Sequence, residues 1–366
     1  MAPFRDPSPG YWQDYGQFQH VKHELIRRYL GGWFPKLGTW AGRVIYVDTH
    51  AGRGRHAAGE HGSPLVALHT LLNHSYRDNL LRKSEFRFTF IERDPDNLSL
   101  LEKELHSLHP LPPRVHVDMA QGDAFAVLST LLESLQNKGS QMAPAFVFVD
   151  PYGFKVPAQL FTDLLAAGRV ELFVNVMWRE LDMAIRQRPQ HGSGTADTLD
   201  GIFGDDSWRT IRASTMSGRA DEAVDLLAGK VGAKWWTRVH MTSGGDATRY
   251  LLLHLTNHDQ GRDLMKDCIW KVVPDGGFSV RRSTDPRQSL LITPEPDVAP
   301  LREWLLDHLR RGPHRWTDLE AAIRQELWLS THLTKLIREL RKQGTIFADD
   351  YSGKFTFKAN PRLQLR

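Results

Sequence analysis

Val44-Ile-Tyr-Val-Asp-Thr-His-Ala-Gly-Arg-Gly54 is an apolar run that ends in an acid and then turns through small residues. Such a run reads as a buried parallel strand. The glycines that follow let the backbone approach a ligand where a Cβ would stand in the way. The pattern recurs: Phe86-Arg-Phe-Thr-Phe-Ile-Glu92 ends in an acid, Gly122-Asp123 follows a short strand near Val115–Val117, and Phe146-Val-Phe-Val-Asp-Pro-Tyr-Gly153 completes the series. Four acid-bearing strand ends, separated by amphipathic stretches, predict a doubly wound parallel sheet covered on both faces by helices.

Working outward, the periodicity predicts a helix over 12–31, stopped by Gly31-Gly32, and further helices over 63–81, 96–108, 124–137 and 157–167. Strands are expected at 43–48, 86–92, 145–149 and 171–177. Residues 178–219 read as a helical insertion. A helix over 220–231 then precedes a hairpin, Trp235–Met241 and Tyr250–Leu255, joined by a Ser-Gly-Gly-Asp turn. Five parallel strands finished by a helix and an antiparallel hairpin characterise the class I methyltransferase fold. The expected fold class is therefore α/β, with a methyltransferase-like Rossmann domain over 1–282.

A proline-rich and polar stretch, 283–299, reads as a linker. Beyond it, helices over 300–311, 316–327 and 330–343, a C-cap at Gly344, and strands at Thr345–Phe347 and Lys354–Phe357 predict a winged-helix domain over 300–366. Its third helix carries Lys335, Arg338, Arg341 and Lys342 and would be the recognition helix for nucleic acid. Winged helices also dock proteins, so the fold leaves both partners open.

The bulk properties narrow the class. A chain of 366 residues is long enough for two domains, and Cys268 as the sole cysteine rules out internal disulfides and cysteine-based metal clusters. No stretch approaches the roughly 18 uninterrupted apolar residues of a membrane span, and the first residues lack the apolar segment of a leader, so a cytoplasmic protein is expected. The net charge of +4 is unevenly spread, because Pro300–Arg366 holds 13 Lys/Arg against eight Asp/Glu. A basic tail steers polyanions.

In a doubly wound sheet the ligand lies beyond the carboxyl ends of the strands, where the chain order reverses. Asp48, Ala51, Gly52 and Gly54 would line the first turn. Glu92 is placed to accept hydrogen bonds from two ribose hydroxyls, Asp94 beside Pro95 reads as a helix start, and Asp123 with Ala124 would meet an adenine ring. The loop lacks the third glycine of the dinucleotide fingerprint. A nucleoside cofactor without a pyrophosphate fits better, and S-adenosyl-L-methionine is the expectation. Asp150, Pro151 and Tyr152 would hold an acceptor amine and stack on a base. The stretch resembles the Asp-Pro-Pro-Tyr motif of amino-methylating enzymes, with one proline missing. His50 and His56 flank the glycine loop without a third ligand at metal spacing, so no metal is expected. A third reading makes Asp48, Glu92 and Asp150 the metal ligands of a nuclease or nucleotide hydrolase.

Tyr11–Leu30, Tyr46-Val-Asp-Thr-His-Ala-Gly-Arg-Gly54, Phe90-Ile-Glu-Arg-Asp-Pro95, Phe148-Val-Asp-Pro-Tyr-Gly-Phe154 and Tyr250-Leu-Leu-Leu-His-Leu-Thr-Asn-His258 with Gly261-Arg-Asp-Leu-Met-Lys266 together resemble the three-Cys-motif partner protein family. The resemblance covers roughly 11–280. It implies a methyltransferase-like protein that works beside a second protein carrying three cysteines, of the radical-S-adenosylmethionine kind. Two readings follow: a methyltransferase acting on an amine of a nucleic-acid base or nucleotide, or a non-catalytic adaptor that brings the cysteine-bearing partner to its substrate.

Overall fold

Phe146, Val147, Phe148 and Val149 are all fully buried. Successive side chains of a strand point to opposite faces, so this strand has one aromatic and one aliphatic side. The same division runs through the strands on either side of it. The computed structural model describes residues 16–151, 153–243, 247–274, 278–281 and 296–366. Among them, contacts divide the chain into two compact units, with the first running to Leu264 and including Ser279–Arg281, and the second beginning at Met265.

The first unit opens with α1 (Gln17–Gly38), β1 (Arg43–Asp48), α2 (Ser63–Leu72), α3 (Arg77–Lys83), β2 (Glu85–Glu92) and α4 (Pro95–His106). It continues through β3 (Val115–Gln121), α5 (Ala124–Asn137), β4 (Met142–Val149), α6 (Ala158–Ala166) and β5 (Gly168–Val176). Helices α7 (Trp178–Arg186), α8 (Gly194–Phe203) and α9 (Met216–Lys230) precede the antiparallel strands β6 (Trp235–Ser243) and β7 (Ala247–Thr256). Then come α10 (Asp259–Val272), which enters the second unit at Met265, and β8 (Ser279–Arg281). The strands lie in the order β3-β2-β1-β4-β5-β7-β6-β8, the first five parallel and β7 antiparallel to both neighbours. This is the methyltransferase-like α/β arrangement expected.

On the aromatic face, Tyr29 of α1 meets Phe146 with ring centroids 5.1 Å apart, and Phe34 meets Phe86 edge-on at 5.4 Å. Tyr46, Phe88, Phe90, Phe148 and Phe173 complete that layer, all within 1% of full burial. On the other face, Val47, Val147, Val149, Leu172, Val174 and Val176 pack with Phe161, Trp178, Leu199, Phe203 and Val224 from the helices that follow β4. The helical segment 178–219 thus supplies Trp178 and Trp208 to the main core.

Three sequence expectations need correction here. Gly31-Gly32 does not stop α1, which runs on to Gly38. Trp33 and Phe34 continue its buried stripe, and Gly32 lies so close to Leu264 that a Cβ would come within 2.7 Å of it. Pro35 sits inside this helix and cannot donate to the Gly31 carbonyl four residues back. The His74 imidazole takes that donor's place, with Nε2 3.0 Å from Gly31 O. The single helix expected over 63–81 is two, because Asn73–Tyr76 breaks it where His74 turns back to α1. Helix α9 also begins four residues earlier than expected, where the Thr215 hydroxyl caps the Gly218 amide. Residues 244–246 of the Ser-Gly-Gly-Asp turn, most of the 283–299 linker and the helix start at 12–15 lie outside the described residues.

The second unit comprises the rest of α10, then α11 (Ala299–Arg310), β9 (His314–Arg315), α12 (Trp316–Ile323), α13 (Ser330–Lys342), β10 (Ile346–Phe347) and β11 (Arg362–Leu365). The strands form a sheet in the order β10-β11-β9, over a core that includes Leu301, Leu305, Trp316, Leu319, Leu333, Ile337 and Leu363. The buried Lys266 ammonium lies 3.0 Å from Ile323 O, at the carbonyl end of α12, where a cation is favoured. The strand expected at Lys354–Phe357 is instead β11. The alternation at 354–357 demands a face for both phenylalanines. Phe355 finds one, against Trp316 at 5.1 Å, but Phe357 is 87% exposed. No helix of the described residues is long and apolar enough to cross a membrane.

Candidate cofactor and acceptor site at the strand ends

The parallel register sets the site. Asp48 pairs with Phe90 and Phe148 on either side, so β1, β2 and β4 end within about two residues of one another, and chain order reverses between β1 and β4. Asp48 is fully buried. It accepts the His50 amide at 3.3 Å and the Tyr46 hydroxyl at 3.4 Å. Burial pushes its carboxyl up to about 7. The nearby Asp150 charge adds to this, while the Ser63 hydroxyl, the His50 amide and the Lys22 ammonium pull the other way.

The loop after β1 is stitched to β2. Ala51 N donates to Ile91 O at 2.9 Å, and Gly52 N donates to Glu92 Oε2 at 2.7 Å. The other Glu92 oxygen accepts the Asp94 amide at 2.9 Å. Glu92 is therefore a clamp between the two loops. A carboxylate accepts about four hydrogen bonds, so two acceptor positions remain. Gly52 has φ +63°, in the left-handed region that favours glycine. Gly54 has φ +83°, and a Cβ there would lie 2.8 Å from Leu101.

Asp94 caps α4 by accepting the amides of Asp96 and Asn97 at 2.8 and 3.0 Å, as its neighbour Pro95 suggested. Asp123 also caps a helix. Its Oδ1 takes Phe125 N and Ala126 N at 3.1 and 3.0 Å, with Oδ2 outside the cap. Ala124, the first residue of α5, is buried. The histidines of the loop do not face each other. His50 lies edge-on to Phe125 at 5.9 Å, and burial lowers its pKa to about 4, while His56 sits 6.1 Å from the buried His23.

At the end of β4, Asp150 Oδ2 accepts the Lys22 ammonium from α1, and Oδ1 accepts Asn175 Nδ2 from β5 at 2.6 Å. The carboxylate can only accept, so the amide nitrogen of Asn175 faces it. Among the described residues, Asn175 Oδ1 has no hydrogen-bond partner, although it is buried. Pro151 is buried, and its carbonyl accepts Gly153 N at 2.9 Å in a tight turn where Gly153 has φ +140°. Tyr152 lies outside the described residues.

Lys22 and Asn175 were not singled out from the sequence. Both carried a usable signal. Lys22 falls in the buried stripe Phe18, Lys22, Leu25, Tyr29, and Asn175 interrupts the apolar run Leu172-Phe-Val-Asn-Val176. A polar residue in such a position needs a partner, and here each finds Asp150.

On α13, Lys335, Arg338 and Lys342 are exposed. The Arg341 guanidinium is 3.6 Å from the Tyr351 ring centroid, and Arg338 lies 5.8 Å from that of Phe355.

No family model and no curated protein matches the chain. Among solved structures it is similar to a Staphylococcus aureus protein described as a caffeoyl-CoA O-methyltransferase, at 10% identity over 64% of this chain and 83% of that one, with a TM-score of 0.29. It is similar to yhhF of Escherichia coli, described as a methyltransferase, at 15% identity over 70% and 92%, TM-score 0.28. A third is the N-terminal domain of EvdMO1 with SAH bound, at 11% identity over 69% and 86%, TM-score 0.31.

Proposed function

We propose that this chain is an S-adenosylmethionine-dependent methyltransferase acting on an amine of a nucleic-acid base or nucleotide. The observation that carries the reading is the Glu92 clamp. It ties the glycine loop to the end of β2 and keeps two acceptor positions for vicinal hydroxyls, at the switch point of the sheet. Asp48, Ala51, Gly52 and Gly54 would hold the methionine end, and Asp123 Oδ2 with Ala124 the adenine. When bound, the cofactor supplies an electrophilic methyl group.

The chain's own residues do the positioning. Asn175 Oδ1 is a buried acceptor with no donor among the described residues, on the amide that also binds Asp150 Oδ1, so the two side chains can align a planar N–H₂ group. Lys22 holds the Asp150 carboxylate in place. Pro151 rigidifies the turn that leads to Tyr152. Titration calorimetry with S-adenosylhomocysteine tests the reading: binding that disappears in Glu92→Ala supports it, and no binding to the wild type sinks it.

One observation favours the second reading, a non-catalytic adaptor for a three-cysteine, radical-S-adenosylmethionine-like partner. The Lys22–Asp150 ion pair already occupies one oxygen of the carboxylate that an acceptor amine would use. In either reading the second unit serves as a winged helix. This is supported by its helix, strand, helix, helix, strand, strand order. Lys335, Arg338, Arg341 and Lys342 then face DNA, RNA or the partner protein.

A further inference from the structure

The segments Tyr250–His258 and Gly261–Lys266, which the resemblance singled out, play no part at the strand ends described above. His258 of the first and Gly261 and Leu264 of the second instead line a cavity of about 330 Å³ at the opposite end of β5. That volume lies at the lower edge of the roughly 300–1,000 Å³ range of small-molecule pockets. We propose that this cavity binds a small phosphorylated ligand with a planar ring, of the nucleoside monophosphate class. The proposal is independent of the reading given for the strand ends.

Three features of the walls select that chemistry. The first is charge. Lys36 and Arg169 line the cavity, both are exposed, and neither pairs with a carboxylate among the described residues. The acids nearby are already engaged. Glu171 accepts Tyr29 Oη, Trp33 Nε1 at 2.8 Å and His254 Nε2 at 3.0 Å, while Asp259 takes Lys234 Nζ at 2.7 Å and Trp235 Nε1 at 2.9 Å. The two unmatched cations therefore set the sign of the ligand.

The second is a fixed aromatic wall. Trp40 is 57% exposed yet pinned, because its Nε1 donates to Lys36 O at 2.7 Å and the Arg169 guanidinium lies 5.1 Å from its ring centroid. A guanidinium held over an aromatic face makes no hydrogen bond to it, which leaves its N–H donors for a phosphate. A rigid indole at the mouth of a cavity loses little entropy when a ring packs on it.

The third is an unmatched polar atom. His258 Nε2 is buried, has no hydrogen-bond partner among the described residues, and belongs to a residue that lines the cavity. Burial lowers the pKa of this imidazole, so it is neutral near pH 7 and suits the edge of a heterocycle. Gly261 brings the backbone against the cavity floor, since a Cβ there would lie 2.5 Å from Glu171 Oε2.

The test is calorimetric titration of the full chain, at low salt, with adenosine 5′-monophosphate, guanosine 5′-monophosphate and inorganic phosphate. The expected result is saturable binding of at least one nucleotide. It should be weakened about tenfold or more in Lys36→Ala/Arg169→Ala, weakened in His258→Ala, and unchanged in Glu92→Ala. Lys36 and Arg169 are exposed, so the double variant should keep its fold, which circular dichroism checks. The proposal is overturned if neither nucleotide binds, or if the double variant binds as the wild type does. It is equally overturned if Glu92→Ala abolishes binding, which would put the nucleotide at the strand ends. Phosphate binding as tightly as the nucleotides would remove the planar ring from the proposal.

Discussion

Lys22 and Asp150 stand 128 residues apart in the chain, yet they form an ion pair at the carboxyl end of the sheet, with side chains only 4% and 14% exposed. A pair so shielded matters less for its own attraction than for what happens when one half is removed, because the remaining charge stays buried. Lys22→Met and Asp150→Asn should each destabilise the protein, the lysine variant by about 3–5 kcal/mol in urea unfolding at pH 7. The double variant should recover much of that loss. Costs that simply add, to within about 0.5 kcal/mol, would mean that the two residues are energetically independent.

Asp48 makes stability depend on pH in a defined direction. Its folded pKa is raised from an ordinary 3.8 to about 7, chiefly by burial, so the folded state favours the neutral carboxyl. The stabilisation is complete below the ordinary pKa and is lost as pH rises through about 7. Relative to Asp48→Asn, the wild type should weaken by a few kcal/mol, on the order of the shift, between about pH 4 and pH 8. Denaturant midpoints of both proteins across that range are the measurement. A constant difference would mean that Asp48 has the same pKa in the folded and unfolded states.

Glu171 carries the opposite sign. Burial alone would raise its pKa, but the His254 imidazole and the hydrogen bonds from Tyr29 and Trp33 outweigh burial and hold the carboxyl below the usual range. Its contribution is therefore present above its ordinary pKa of 4.5 and disappears as pH falls through the folded value. Tyr29→Phe removes one donor to a buried charge and should cost about 1.5–3 kcal/mol at neutral pH. That cost should shrink at acid pH, which paired unfolding curves at pH 7 and pH 3.5 would detect.

The strands were legible because apolar runs such as Phe146–Val149 bury both faces and end at acids, which leaves few alternatives. Helix ends were less legible. Gly31-Gly32 reads as a stop until Leu264, more than 230 residues later, is known to need the space beside Gly32. The same holds at the site. Glu92 was visible at a strand end, but its role as a clamp depends on Gly52 and Asp94 reaching its two oxygens. Lys22, Asn175 and Glu171 each broke an apolar pattern, yet no local rule names their partners across the sheet. The wing failed for the converse reason, since Lys-Phe-Thr-Phe357 alternates like a strand where no face is left to receive Phe357.

The basic helix α13 separates contact from structure in a way that mutation can resolve. Lys335 and Lys342 are exposed, whereas Arg341 is laid on the Tyr351 ring and its buried Nε has no hydrogen-bond partner among the described residues. If the second unit binds nucleic acid, Lys335→Ala and Lys342→Ala should weaken binding to any duplex by similar factors. Each should also lower the slope of log affinity against log salt by about 1. Arg341→Ala should act differently, lowering thermal stability through the loss of its packing on Tyr351. Fluorescence anisotropy with a labelled duplex across a salt series, run beside thermal melts, distinguishes the two. Salt slopes that do not change in the lysine variants would assign this face to a protein partner instead.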